Sequence, residues 1–97
     1  MTEDELLTLL KLDLQLTTPP GSNLDTYLSH LIRVAREAIR EEGITTNISE
    51  YKDCHLIVMY AAYLYRKRAA GDSGMPRMLR YALNNRLFAE KMGEAQI

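Results

Sequence analysis

Only one cysteine, Cys54, occurs in the 97 residues, so no intramolecular disulfide can form. That argues for a reducing compartment, by default the cytoplasm, and against a secreted scaffold stapled by disulfides. Long apolar runs are scarce as well. The longest, Leu56 to Tyr65, is about half the roughly 20 residues of a membrane-crossing helix. The start, Met1-Thr2-Glu3-Asp4-Glu5, is acidic where a signal peptide needs a basic segment. The expectation is a protein neither exported nor membrane-spanning.

Catalytic signatures are missing too: there is no GxSxG, HExxH, GxGxxG or CxxC, and no phosphate-binding GxxxxGK loop. Cys54 and His55 are the only cysteine-histidine neighbours, but adjacent residues on a helix point about 100° apart and cannot share a metal or form a nucleophile-base pair. They read as a core thiol and a surface imidazole. His30 lies among polar neighbours and reads as solvated. The acids Glu3, Asp4 and Glu5 sit at a helix start, where the dipole stabilises negative charge. No catalytic, metal-binding or cofactor-binding residue is therefore expected, and the chain does not read as an enzyme.

What is present fits one folded domain over residues 1–97. Hydrophobic residues make up 46% and charged residues 26%, close to the globular averages of about 45–50% and 25%. The net charge of −1 hides an asymmetry. Residues 1–50 carry nine acids against four bases, hence −5; residues 51–97 carry eight bases against four acids, hence +4. Such polarity suits head-to-tail self-association or docking on charged partners.

The hydrophobic spacing predicts an all-α fold, a small bundle of about four helices with a long central third helix. Thr2 and Glu5 have the spacing of a capping box, and Leu6, Leu7, Leu9 and Leu10 follow as an apolar stripe to a helix end near Lys11. Leu10, Leu12, Leu14 and Leu16 then alternate with polar residues, which suits either an extended segment or a fraying helix end. Pro19-Pro20-Gly21 forces a loop. Asn23 is the expected cap of a second helix, with Leu24, Leu28, Leu31, Ile32, Ala35, Ala38 and Ile39 inward and Asp25, Ser29, Arg33, Glu37, Arg40 and Glu41 outward. Gly43 stops it. Asn47 or Ser49 is expected to cap a third helix running to about Ala70. After a polar linker, Pro76 should open a fourth, in which Asn84-Asn85 is a weak point where the helix can break.

The third helix has two apolar sides. Cys54, Ile57, Val58, Ala61, Ala62 and Tyr65 form a core stripe, while Leu56, Met59, Tyr60 and Tyr63 form a second. The second is covered either by neighbouring helices or by another subunit. On the fourth helix Met75, Leu79, Ala82, Leu83 and Leu87 face the core, with Tyr81 and Phe88 seven apart on another side. Leu56, Met59, Tyr60, Tyr63, Tyr81 and Phe88 are thus the candidate interface residues. Arg66, Lys67, Arg68, Arg77 and Arg80 are the candidates for contact with phosphates or with an acidic partner.

Along nearly its whole length the chain resembles the head-tail connector proteins of tailed bacteriophages and prophages, also called head-completion or DNA-packaging adaptor proteins. The resemblance runs from Leu10-Lys11-Leu12-Asp13 through Asn23 to Ile39 and Gly43-Ile44. It continues at Tyr63-Leu64-Tyr65-Arg66, where such proteins end their long helix in an aromatic-aromatic-Asn-Arg pattern, and from Leu79-Arg80-Tyr81 to Arg86. The Pro-Pro loop and the basic Lys67-Arg68 depart from the pattern. The resemblance implies a non-catalytic subunit of a ring-shaped, dodecamer-like homo-oligomer, made in the host cytoplasm and placed at the head-tail junction of the virion. Its partners would be itself, the portal protein above, head-completion or tail proteins below, and passing DNA through non-specific contact, with no membrane. The rival readings are a small DNA-binding regulator, with Arg77, Arg80, Asn84 and Asn85 on a recognition helix, a small enzyme, which would need a site that the motifs do not reveal, and another kind of protein-interaction module.

Overall fold

The computed structural model describes residues 2–70 and 74–95, without the side chains of residues 69, 70, 94 and 95. Its elements are α1 (Glu3–Asp13), α2 (Asn23–Glu41), α3 (Tyr51–Ala70) and α4 (Arg77–Ala95), with no strand among the described residues. The all-α bundle expected from the spacing is present. The expected long third helix is not set apart by length: α3 has 20 residues, and α2 and α4 have 19 each. Its distinction is position, since α3 packs extensively on α1, α2 and α4 while α4 leans mainly on α3. None of the described helices is long and apolar enough to cross a membrane. Of the polar linker before α4, residues 71–73 lie outside the described residues.

Local chemistry explains the helix ends. The Thr2 side chain accepts from the Glu5 N–H and the Glu5 carboxylate accepts from Thr2, completing the capping box. The helix then passes Lys11 and closes at Asp13 with a Schellman motif. Leu16 N–H donates to the Lys11 carbonyl at 2.9 Å, and Gln15 N–H to that of Leu12 at 3.1 Å. This needs a left-handed residue, and Gln15 takes φ 58°. The alternating leucines therefore belong to a helix end and its exit: Leu10 is buried, Leu14 and Leu16 are partly buried, and Leu12 is exposed.

Ser22, not Asn23, caps α2, its hydroxyl accepting from the Asp25 N–H. The α2 C-terminus repeats the Schellman pattern with Gly43 at φ 99°. The buried Ile44 follows it into the core. Neither Asn47 nor Ser49 caps α3 directly. Asn47 folds the connector by accepting from the Ser49 N–H, and Cys54 N–H reaches the Glu50 carbonyl. Pro76 lies one residue before α4, and its carbonyl accepts from Arg80 N–H. The helix runs unbroken through Asn84-Asn85.

The core is one cluster built from the predicted stripes, including Leu6, Leu28, Ile32, Ile39, Ile57, Leu79 and Leu83. Burying such side chains contributes roughly 1.5–3 kcal/mol each. Asp25, expected on the solvent side of α2, is buried. Its carboxylate accepts from the Thr18 hydroxyl at 2.5 Å and from Lys11 at 3.1 Å, which fastens the Pro-Pro loop and α1 to the start of α2. The envelope measures 46 × 31 × 18 Å. Helices about 10 Å across cannot bury all their faces in a slab 18 Å thick.

Candidate interaction surface

The slab shape separates the two apolar stripes that the sequence grouped together. On α3, Leu56 is buried and belongs to the core under α4, so it is removed from the candidate interface. Met59, Tyr60 and Tyr63 are partly buried and packed against that core. Tyr60 and Tyr63 meet edge to face with ring centroids 5.9 Å apart. Burial pushes the Tyr60 phenol upward from its ordinary value, with the Glu42 carboxylate adding to the effect. The second α3 stripe is thus covered largely from inside the chain, by α4.

The α4 stripe is uncovered. Tyr81 is 56% and Phe88 68% exposed, and Met78 and Met92 extend the same face at 72% and 47%. These four residues recur at intervals of three, seven and four, with Asn85 between them, so they form one seam along the helix. Met78 and Met92 were not among the sequence candidates. The signal that finds them is the heptad spacing through Tyr81 and Phe88.

A second uncovered patch lies between α1 and α3, where Leu9, Leu12, Tyr51, His55 and Val58 line an open groove of about 520 Å³. His55 is exposed there. The Cys54 thiol is buried, donates to the Ile48 carbonyl at 3.1 Å, and is pushed up by desolvation. Among the described residues no group of three or more His, Cys, Asp or Glu side chains is placed to hold a metal ion.

The five basic candidates do not form one patch. Arg66 reaches Asp13 at 3.4 Å and Arg80 forms a two-point bond to Glu42, its closer contact at 3.1 Å. Lys67 stands 5.7 Å from the Tyr63 ring centre, and Arg68 stands 4.9 and 5.2 Å from those of Tyr27 and Tyr65. Arg77 is exposed and has no ion-pair partner among the described residues. Most of this charge is engaged within the chain, by acids from the first half and by aromatic faces.

Arg86, unassigned by the sequence reading, joins Asp53, Glu90 and the Thr45 carbonyl. It pulls the Glu90 carboxyl below its ordinary value. On the outer face of α2, Arg40 binds Glu37 at 2.6 Å and Arg36 binds Glu3 at 3.3 Å. The Arg40 contact lowers the Glu37 carboxyl in the same way.

Comparison of the chain with protein-family models, with curated proteins and with solved structures returned no match.

Proposed function

We propose that this protein is a structural subunit of a phage head-tail connector ring, which docks under the portal and extends the DNA channel during head completion. The observation that carries this reading is the uncovered seam Met78-Tyr81-Phe88-Met92 on a helix whose opposite side is core. Apolar seams of this kind mark protein-protein contacts. The resemblance of the chain to connector proteins supplies the kind of assembly. In this reading the site of action is the head-tail junction of the virion, and the chemistry is association without catalysis.

The engagement of Arg66, Lys67, Arg68 and Arg80 within the chain weighs against a DNA-binding regulator, which needs a basic face turned to phosphates. It fits a channel subunit touched only weakly by DNA. The test is electron microscopy and solution mass of the purified chain, alone and mixed with portal protein. Closed rings with a central opening are expected. A chain that stays monomeric with portal present, or that binds one DNA sequence far more tightly than others, overturns the reading.

A further inference from the structure

The four helices are not equally committed to the core. Each of α1, α2 and α3 packs on both of the others, whereas α4 leans chiefly on α3. Polar ties close the same triangle: Lys11 of α1 binds Asp25 of α2, Arg66 of α3 reaches Asp13 of α1, and Arg68 of α3 stands over the Tyr27 ring of α2. Among the described residues, α4 contributes only Leu79 and Leu83 to the buried apolar set, while Met78, Tyr81, Phe88 and Met92 leave its outer side in solvent. Few buried apolar side chains and one main supporting neighbour are the properties of an element that opens ahead of the rest.

Beyond these leucines, two arginines hold the helix down. Arg80 binds Glu42 at the end of α2 through contacts of 3.3 and 3.1 Å. Further along, Arg86 reaches Asp53 of α3 at 2.7 Å and the Thr45 carbonyl at 2.8 Å. All three partners belong to the three-helix side, so these bonds break together when α4 leaves. Their loss strands no charge, because Asp53, buried under Arg86, then meets water that replaces the ion pair. We propose that α4 opens and recloses as one unit while α1, α2 and α3 stay folded, with the Arg80–Glu42 and Arg86–Asp53 pairs as its latches. The seam Met78-Tyr81-Phe88-Met92 rides on this helix, so opening moves that face relative to the rest of the bundle and uncovers Leu56, Leu79 and Leu83.

The experiment is native-state hydrogen exchange of the full chain in a series of low urea concentrations, at a dilution where sedimentation shows a single species. Amides inside α4, over residues 81–92, are expected to exchange at least about tenfold faster than those inside α2 and α3 and to share one common opening. That opening should have a shallower urea dependence than the slowest amides show, because it exposes less surface. Two variants sharpen the reading. Ile32→Val trims the core of α2 and should speed exchange of the slowest α2 and α3 amides roughly 2- to 12-fold while leaving α4 unchanged. Arg80→Met removes one latch and should speed α4 several-fold. If all helices exchange together and Ile32→Val speeds α4 as much as α2, the chain opens only as a whole and the proposal is overturned. It is also overturned if α4 amides exchange singly with no urea dependence, which is fraying, or if Arg80→Met leaves α4 unchanged. Should Ile32→Val lose helicity by circular dichroism, the wild-type urea series alone decides. None of these outcomes alters the ring reading.

Discussion

Arg86 of α4 donates its Nε proton to Asp53 Oδ1 of α3 at 2.7 Å, across the contact that holds the fourth helix on the bundle. Asp53 is 3% exposed, and its other oxygen accepts from the Asn47 N–H at 2.8 Å. The same guanidinium reaches Glu90 at 2.7 Å and the Thr45 carbonyl at 2.8 Å. One side chain thus ties α4 to α3 and to the connector between α2 and α3. Arg86→Met leaves a carboxylate buried without its counter-charge and is expected to cost about 3 kcal/mol. Arg86→Met with Asp53→Asn should recover part of that loss. Urea denaturation of the wild type and the two variants measures both.

The two Schellman caps predict substitutions of opposite sign. Gln15 holds φ 58° without being glycine, so Gln15→Gly should stabilise by about 0.5–1 kcal/mol despite the added freedom of the unfolded chain. Gly43 holds φ 99°, and an added Cβ would meet Leu87 Cδ1 at 3.2 Å. Gly43→Ala should destabilise by about 1–2 kcal/mol. Thermal melts would show Tm rising for the first and falling for the second.

The carboxyl of Asp25 is held below its ordinary value chiefly by the Thr18 hydroxyl, against the opposing pull of burial, with Lys11 adding to the lowering. A carboxyl whose folded pKa is depressed stabilises the fold fully above its unfolded value near 3.9, and the contribution disappears as pH falls through the lower folded value. Thr18→Val should therefore be less stable than wild type at neutral pH. The gap should narrow below about pH 4. Denaturation midpoints across an acid pH series provide the comparison, and a gap independent of pH would show that Thr18 acts by packing alone.

The two aromatic pairs should separate under mutation. Tyr60 and Tyr63 pack against the core, so Tyr60→Ser with Tyr63→Ser is expected to lower stability by more than about 2 kcal/mol. Tyr81→Ser with Phe88→Ser should change monomer stability by less than about 0.5 kcal/mol while weakening self-association. Urea titration together with sedimentation separates the two effects.

With four of its five candidate cations engaged inside the chain, the protein should bind duplex DNA weakly. Fluorescence anisotropy with several unrelated duplexes is expected to give similar low affinities that vanish as salt rises toward physiological strength. Arg77→Ala should reduce what binding remains by more than Arg80→Ala, because Arg80 already faces Glu42.

Four helices, their apolar stripes and the stop at Gly43 were legible in the sequence, because helical periodicity and glycine's tolerance of positive φ are local properties. The capping box at Thr2 and Glu5 was local in the same sense. Asp25 could not be placed, since its burial depends on Lys11 and Thr18 arriving from α1 and the Pro-Pro loop. Nor could Arg86, whose partners Asp53 and Thr45 are distant along the chain. The apolar residues on both sides of α3 left open whether a neighbouring helix or another subunit covers the second side. The packing of α4 decided it, taking Leu56 into the core and turning Tyr81 and Phe88 outward. Sequence by itself determined which residues are apolar and at what spacing; which apolar face found a partner was decided by tertiary packing, because burial depends on what arrives from elsewhere in the chain.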